Sequence, residues 1–439
     1  MKVKENKEKA MEFFCDIERF PMLCQSCGMC ENVCPVEAIK LSQNFATQFV
    51  PEYDEKKCIG CMKCVKACPV RKNMSEHKSV MGPYIKVYLG KSMKESDVEN
   101  GSSGGVITAL LTYGLETKVF DEVLTVSNTG SVVTAKPVYT VNPGQESGSK
   151  YVSEPLCTIY DSKKKNLAIT ALPCQAKAIR KQNDDNFIFG LFCSKLSLED
   201  LINYVVLKNK KNPEDITEIT YRRGNWPGKF RVKFADGSQI CEKLNRSVFN
   251  SAYNSYNFSC SGCLLCDDYF AEQADISFGD PWGRTQYQDG YPGETVIIVR
   301  TDRGMELVDN AVKDGILSVE ELDVEKVIKG HIKEIYNKKT ALIQRIRYMD
   351  SRTDAMKEYN KDVLIPAKNF GLLNTYAIGN NWKRRKSIKR YKKIFKSSIR
   401  YMFFKRFAHA FLLSKRLKMS KNYETYLECA KNERTQSGR

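Results

Sequence analysis

Nowhere in this 439-residue sequence does an uninterrupted apolar run approach the ~20 residues that cross a bilayer. A helical membrane span is therefore excluded, and a soluble or peripheral protein is expected. The stretch from Met1 to Ala10 is mostly lysine and glutamate and lacks the apolar core of a secretion signal. Histidine is scarce: His77, His331 and His409 are the only copies, each in or near a charged segment. Surface positions are expected for all three. No Walker loop and no Ser–His–Asp constellation is present. Acidic residues vanish between Lys383 and Lys421, where sixteen Lys and Arg stand without one Asp or Glu. Those sixteen account for all but two of the formal charge of +18. The basicity thus belongs to one segment and says little about the rest.

What the chain has in quantity is cysteine. Seventeen cysteines would suggest disulfides in a small secreted protein, but nothing else supports secretion, and a reducing cytosol is expected. Eight of them form two copies of one arrangement. Cys24, Cys27, Cys30 and Cys34 precede Pro35; Cys58, Cys61, Cys64 and Cys68 precede Pro69. This C-x-x-C-x-x-C-x-x-x-C-P run is the signature of the bacterial two-cluster ferredoxin, in which thiolates hold a pair of 4Fe-4S cubanes. Three close thiolates wrap one cluster and the fourth crosses to the other. Cys24, Cys27 and Cys30 are thus expected with Cys68, and Cys58, Cys61 and Cys64 with Cys34. Zinc also takes four thiolates, but its motifs usually present paired C-x-x-C knuckles around a spacer. The chain is read as an electron carrier.

Length favours two or three domains, and an apolar fraction of 42% excludes wholesale disorder. The expected class is α+β and multidomain. Residues 1–78 carry the two-cluster unit behind a short charged helix. Residues 79–340 alternate strands and helices in an α/β rhythm. Strands are expected at Tyr84–Leu89, Glu122–Val126, Val132–Thr140, Leu167–Ala171 and Phe187–Phe192, with helices around Gln175–Gln182 and Ser197–Leu207. A β-rich section, Ile216–Ile240, turns at Ala235–Ser238. Residues 341–439 read as helix followed by strongly basic helix.

Two features of the middle region carry chemistry. Gly101, Ser102, Ser103, Gly104 and Gly105 open a helix whose buried face holds Val106, Ile107, Leu110, Leu111 and Leu115. Glycine admits close approach, and a helix N-terminus offers N–H groups to a phosphate, a pyrophosphate being the natural guest. The run is not the G-x-G-x-x-G fingerprint, and a plain structural link fits it as well. Five further cysteines stand apart: Cys174 in Leu172-Pro173-Cys174-Gln175, Cys193 after a strand, and Cys260, Cys263 and Cys266 in a loop. Four of these could hold a third cluster. Buried apolar thiols, a structural zinc or a redox dithiol are the alternatives.

Five ordered segments then share a resemblance: Gly101–Leu111, Ser149–Tyr151, Leu172–Gln175, Gly190–Cys193 and Cys263–Gly279. Together they resemble the beta subunit family of coenzyme F-420 (deazaflavin) hydrogenases and dehydrogenases over residues 80–340, behind a two-cluster ferredoxin. The resemblance implies FAD in the Gly101–Gly105 loop, with Thr108 behind it. It implies Lys150, Thr170, Pro173 and Gln175 near the flavin, and Cys174, Cys193, Cys263 and Cys266 around a third 4Fe-4S cluster. It also implies exchange of hydride with a deazaflavin or another small organic substrate. The family's usual glycine is missing at Thr170-Ala171-Leu172-Pro173-Cys174-Gln175, and Cys260 is extra. The segments Arg223–Gly228 and Gly279–Gly283 look more like bacterial relatives that accompany surface-polysaccharide synthesis.

Asp280 could orient a flavin or substrate, or simply cap the turn before Pro281. The basic segment spaces Trp382, Ile388, Tyr391, Phe395, Ile399, Met402 and Phe403 at three- and four-residue steps in part. An amphipathic helix on anionic lipid or an acidic partner is expected, making the protein cytoplasmic and peripheral at the inner membrane face. A soluble packed helix is the alternative, and nucleic acid is not expected, since no recognised fold accompanies the charge. The reading is an iron–sulfur flavoprotein oxidoreductase exchanging electrons with a ferredoxin or another redox protein. The rival is a non-catalytic conduit wiring a partner enzyme to ferredoxin.

Overall fold

The doubled cysteine runs wrap a small unit of two short helices, Met29–Asn32 and Lys63–Ala67, and one antiparallel pair, β1 (Ile39–Gln43) with β2 (Phe49–Tyr53). The computed structural model of the protein describes residues 2–44, 47–70, 79–182, 185–254, 256, 258–283, 291–350 and 423–435. The first helix, Lys2–Arg19, buries Ala10, Phe13, Phe14 and Ile17, a three-and-four spacing that lays one apolar stripe inward. That stripe shares a core with Leu23, Leu264, Leu265, Leu342 and Ile346. On its other side, Cys27, Met29 and Ala67 pack with Ala171, Ala176 and Ile188. The unit is built into the rest of the molecule on two faces.

The main sheet takes β3 (Lys86–Ser92), β4 (Glu122–Thr129), β5 (Val132–Val138), β6 (Leu167–Ala171) and β7 (Phe187–Leu191). A separate antiparallel meander follows, β8 (Ile216–Arg223), β9 (Lys229–Phe234) and β10 (Gln239–Lys243). The main sheet is completed by β11 (Ile276–Gly279), β12 (Thr295–Val299) and β13 (Leu317–Glu321), in the order β13-β3-β12-β11-β7-β6-β4-β5. The strands β11, β7, β6 and β4 are parallel neighbours. Because β12 is antiparallel to both β11 and β3, β3 runs in the same direction as those four. The central strands read as continuous apolar runs because both faces are covered: Val296, Ile297, Ile298 and Val299 are all buried. One face packs the helices Val106–Glu116 and Asp302–Lys313.

In the meander, Phe230, Val232 and Phe234 alternate inward against the helices Asp200–Lys208 and Val248–Asn254. The observed strand Leu167–Ala171 coincides with its expected range, while β3 begins two residues later than expected. Beyond the sheet, helix Val324–Ile335 runs through a π turn, Tyr336–Thr340, into helix Leu342–Asp350. A last helix, Tyr423–Asn432, buries Tyr426, Leu427 and Ala430 beside Val80, Tyr84 and Ile328. Nothing in the local residue pattern hinted at that return. The basic segment Lys383–Lys421, with its expected amphipathic helix, lies outside the described residues, as do His77 and His409. Among the described residues no helix is long and apolar enough to cross a membrane.

Candidate metal and cofactor site

Five co-directional strands share one carboxyl edge, where open α/β sheets place their ligands. Cys174 leaves β6 through Leu172-Pro173, Cys193 follows β7 after Phe192, and Asp280 follows β11. The Gly101–Gly105 loop comes off β3 on the same edge, tied back by Ser92 N–H to the Gly104 carbonyl at 2.7 Å. Proline at the first position of helix Pro173–Arg180 suits a site whose N–H would lack a helical partner in any case.

The thiols fall into three sets. Cys24 and Cys30 lie within electrostatic reach of Cys27 and Cys68. Cys64 has Cys61, Cys34 and Cys58 as its neighbours. Cys174 faces Cys266, Cys193 and Cys263, and also Cys27 of the first set. Four thiols from three separate segments therefore meet at the sheet edge, beside the N-terminal unit. Among the described residues no disulfide joins any cysteine, and no three such side chains close on a position for one metal ion. A cubane asks for a wider arrangement, because each thiolate binds a different iron.

The donor chemistry fits such clusters. Backbone N–H groups point at sulfur: Ser26 to Cys24 at 3.4 Å, Ala38 to Cys34 at 3.2 Å, Gly60 to Cys58 at 3.3 Å, and Leu196 to Cys263 at 3.2 Å. Hydrogen bonds of this kind stabilise the negative sulfur of a bound cluster. Burial pushes the Cys24, Cys30, Cys174 and Cys193 thiols up, and Cys64 to about 12. Such sulfurs stay charged only when a cation neutralises them. Cys27 is the exception: a hydrogen bond from buried Cys157 holds it below the usual thiol range, against burial. Cys260 is wholly buried, 3.7 Å from the Cys24 carbonyl and 3.5 Å from Ser26 Oγ, and it hydrogen-bonds Cys263. It stands between the first and third sets.

Buried cations surround the third set. Lys338 is 1% exposed; burial works against its charge, but Cys266, Cys263 and Cys193 hold its pKa above the usual lysine range. Burial pushes Lys195 down to about 7 although Glu334 opposes it, and its Nζ lies 3.9 Å and 4.2 Å from the Tyr253 and Tyr256 ring centres. Arg345 donates to the Asn337 side chain at 3.1 Å and also to the Leu264 carbonyl. The sequence carried a signal for these: Lys338 and Lys339 interrupt the apolar spacing Ile335, Leu342, Ile346.

The Gly-rich loop is held by its own protein. A Cβ at Gly104 would stand 2.5 Å from the Gly90 carbonyl, so glycine is required there by close backbone packing. The Gly104 N–H donates to Thr295 Oγ1 at 3.0 Å. Ser102, half-buried, donates to the Arg222 carbonyl at 3.1 Å and accepts from Ser149 N–H at 2.6 Å. Thr108 meets Ser147 at 2.6 Å, and Thr170 meets Thr125 at 2.7 Å. Gln175 accepts from Leu172 N–H and donates to the Glu154 carbonyl, both at 3.0 Å. Lys150 donates to the Glu146 and Ser147 carbonyls, and burial pushes it down to about 7. Gly101, Ser102, Ser103 and Lys150 thus gather at this edge, with most of their polar groups engaged internally.

Asp280 does more than cap a turn. Both of its oxygens accept from buried Arg222, each at 2.6 Å, and Oδ1 accepts from Trp226 Nε1 at 3.1 Å. Trp226 in turn meets half-exposed Trp282 edge-on at 4.8 Å. Arg222 was not singled out from sequence, because its role depends on a partner 58 residues away. His331, expected at the surface, is 2% exposed. It sits on the Val327, Ile328, Ile335 face of its helix, among Phe192, Tyr269 and Phe270, with Nδ1 3.0 Å from Tyr269 OH. Lys329 and Lys333, its basic neighbours in sequence, point outward, whereas Glu334 stays within electrostatic reach of it.

A mixed α/β sheet, an N-terminal ferredoxin-like unit and converging thiols define an iron–sulfur electron-transfer protein of oxidoreductase type. Residues 164–325 match the family described as the C-terminal part of the coenzyme F420 hydrogenase/dehydrogenase beta subunit, and residues 87–159 match its N-terminal counterpart. Residues 23–72 match the 4Fe-4S dicluster domain. The chain belongs to the coenzyme F420 hydrogenase/dehydrogenase beta subunit family, preceded by a 4Fe-4S dicluster domain. It is 25% identical over 261 residues to the coenzyme F420 hydrogenase subunit beta of Methanococcus voltae, covering 55% of this chain and 86% of that one. It is 26% identical over 339 residues to the coenzyme F420-dependent sulfite reductase of Methanocaldococcus jannaschii, covering 70% of this chain and 49% of the relative. The chain thus spans about half the length of that reductase. A solved chain of the F420-reducing NiFe hydrogenase complex from Methanosarcina barkeri is similar at 19% identity and a TM-score of 0.47, covering 63% and 95% of the two chains.

Proposed function

We propose that this chain is an iron–sulfur flavoprotein that converts between single electrons and hydride. Electrons pass through Cys24, Cys27, Cys30 and Cys68, through Cys58, Cys61, Cys64 and Cys34, and through Cys174, Cys193, Cys263 and Cys266. The observation that carries the reading is Cys174 lying within reach of both Cys27 and its own three partners. A cluster held by these thiols would adjoin the N-terminal thiols on one side and the sheet edge on the other. Cys61, exposed in the second set, suits contact with a ferredoxin or another carrier protein. FAD, when bound, supplies the exchange between one-electron steps and hydride transfer. The half-buried Ser102 and Ser103, with Lys150 beside them, would hold it at the carboxyl edge, while Arg222 and Asp280 fix the edge's shape. The relatives named for coenzyme F420 make a deazaflavin the first organic partner to test; a substrate from surface-polysaccharide assembly is the second.

The second reading is a conduit without its own substrate. It is favoured by the Gly104 N–H being spent on Thr295 and by the internal pairing of Thr170, Gln175 and Lys150. Anaerobic purification with iron, sulfide and flavin quantitation separates the two. Flavin that is reduced by a deazaflavin supports the enzyme; clusters without flavin support the conduit. Cys263→Ala is expected to lose about four irons, one cluster's worth, and leave the N-terminal ones. Unchanged iron would move the third site elsewhere.

A further inference from the structure

We infer that the first turn of helix Lys2–Arg19, together with the loop Cys58–Lys63, is the docking surface for an acidic one-electron carrier protein, with Cys61 as the point of exchange. The inference rests on the doubled cysteine runs holding two clusters, as proposed above. Of the twelve cysteines assigned to the three sets, Cys61 alone is exposed. Electron exchange falls off steeply with distance, so a carrier protein docks best where a ligand sulfur reaches solvent. The first set lies deeper: Cys27 is buried, and its carbonyl accepts from Cys157 N–H at 3.0 Å.

The start of the helix is built onto this loop. Asn6 Nδ2 donates to the Gly60 carbonyl at 3.1 Å. A Cβ at Gly60 would stand 2.8 Å from the Val3 carbonyl and 3.3 Å from Lys7 Cγ, so glycine lets the loop seat against the turn. Further along, Phe14 stacks on Tyr53 of β2 with ring centres 4.8 Å apart, which fixes the helix on the unit. Two aliphatic side chains on the joined segments are left in water, Val3 at 58% and Ile59 at 49% exposure. Around them, residues 2–9 and 54–66 carry eight lysines against four acidic residues. Every one of those lysines except Lys7 is exposed. Two of the acids are turned to the chain itself: Glu5 Oε1 accepts from Lys9 at 2.7 Å, and Asp54 Oδ1 from Lys56 N–H at 2.9 Å. An apolar centre ringed by excess lysine is complementary to a carrier with an anionic rim around its own redox centre. Charge of this kind speeds encounter and orients the partner more than it adds affinity. One electron passes between the carrier and the centre held by Cys58, Cys61, Cys64 and Cys34, and no group is transferred with it.

The test uses the full chain, purified anaerobically, with an acidic bacterial two-cluster ferredoxin as the probe. Binding is read by calorimetry, and association from the rate at which reduced ferredoxin reduces the chain's centres. In the parent that rate is expected to fall steeply between about 0.1 M and about 1 M salt, as the screening length shortens from ~10 to ~3 Å. Lys57→Glu with Lys63→Glu should slow it at least about tenfold at low salt, with iron content unchanged. Ile59→Ser should weaken binding and keep the salt dependence. Lys118→Glu with Lys313→Glu makes the same change in net charge on other elements and should leave the rate in place. If the reversed loop pair loses iron, Lys57→Gln with Lys63→Gln replaces it, with a smaller slowing expected. A rate unmoved by the loop variants, or slowed as much by the control pair, overturns the inference. Loop variants that lose binding to phosphatidylserine vesicles but keep the ferredoxin rate overturn it too, and assign the face to lipid. A parent chain that holds the N-terminal iron but neither binds the probe nor takes its electron overturns the docking surface alone. A parent chain without that iron overturns the cluster reading beneath it.

Discussion

The two ends of β11 carry aspartates with opposite work to do. Asp275, at the amino end, is wholly buried and saturated: it accepts from Arg180 and Arg303 at 2.7 Å, Ile188 N–H at 2.7 Å and Thr301 at 2.9 Å. Those donors tie helix Pro173–Arg180, helix Asp302–Lys313 and β7 to one carboxylate. Asp280, at the carboxyl end, has one arginine, from β8, and one indole, from the loop after it. The amino end of a parallel strand is closed for stability, and the carboxyl end is left to hold ligands. The same strand therefore separates structure from chemistry over four intervening residues.

The sharpest way to break this contrast is Asp275→Ala. It takes the buried carboxylate away from Arg180 and Arg303, which keep the Gln273 and Asn186 carbonyls and the exposed Asp185, and is expected to cost about 3–5 kcal/mol of stability, read from urea unfolding. The iron and flavin content of the surviving folded fraction should match the parent. Loss of cofactor without loss of stability would reverse the roles assigned to the two ends.

A pH effect of somewhat smaller size belongs to the carboxyl end. Burial holds His331 down to about 4, whereas an unfolded histidine titrates near 6.5. Between those values the unfolded chain binds a proton that the folded chain refuses, so stability rises with pH across the window and falls as the pH drops through it. At about 1.4 kcal/mol per unit, the loss from near pH 6.5 down to about pH 4 comes to about 3 kcal/mol. His331→Gln should flatten that part of the stability–pH curve. An identical slope in the variant would remove histidine from the account.

The smallest stability change is expected for Asp280→Asn, about 1–3 kcal/mol, because Arg222 keeps a neutral acceptor and the Pro227 carbonyl at 2.7 Å. Flavin retention or deazaflavin reduction should fall much further than the urea midpoint moves. A variant that loses stability as severely as Asp275→Ala, with cofactor binding intact, would make Asp280 a second structural anchor.

Legibility in the sequence followed the range of the interaction. The doubled cysteine run was readable because cluster-binding loops impose a short fixed spacing. Strand Leu167–Ala171 and the turn before Cys174 were readable from apolar runs and proline. His331 was misread because local charge, Lys329, Lys333 and Glu334, outweighed its place on an apolar helical face. The Gly101–Gly105 loop drew attention as a phosphate cradle, yet at Gly104 the glycine answers to Gly90 and Thr295, neither of which is a sequence neighbour.

The residue order alone determined that thiols would gather in the first seventy residues, that strands and helices would alternate behind them, and which family the pattern resembles. These follow from local spacing, which survives in a linear chain. The tertiary structure decided that four cysteines from three distant segments meet beside Cys27, that Arg222 finds Asp280, and that Lys338 turns toward sulfur while Lys339 turns toward carboxylate. Those outcomes depend on which strands lie side by side, and pairing between remote segments leaves no mark in local periodicity.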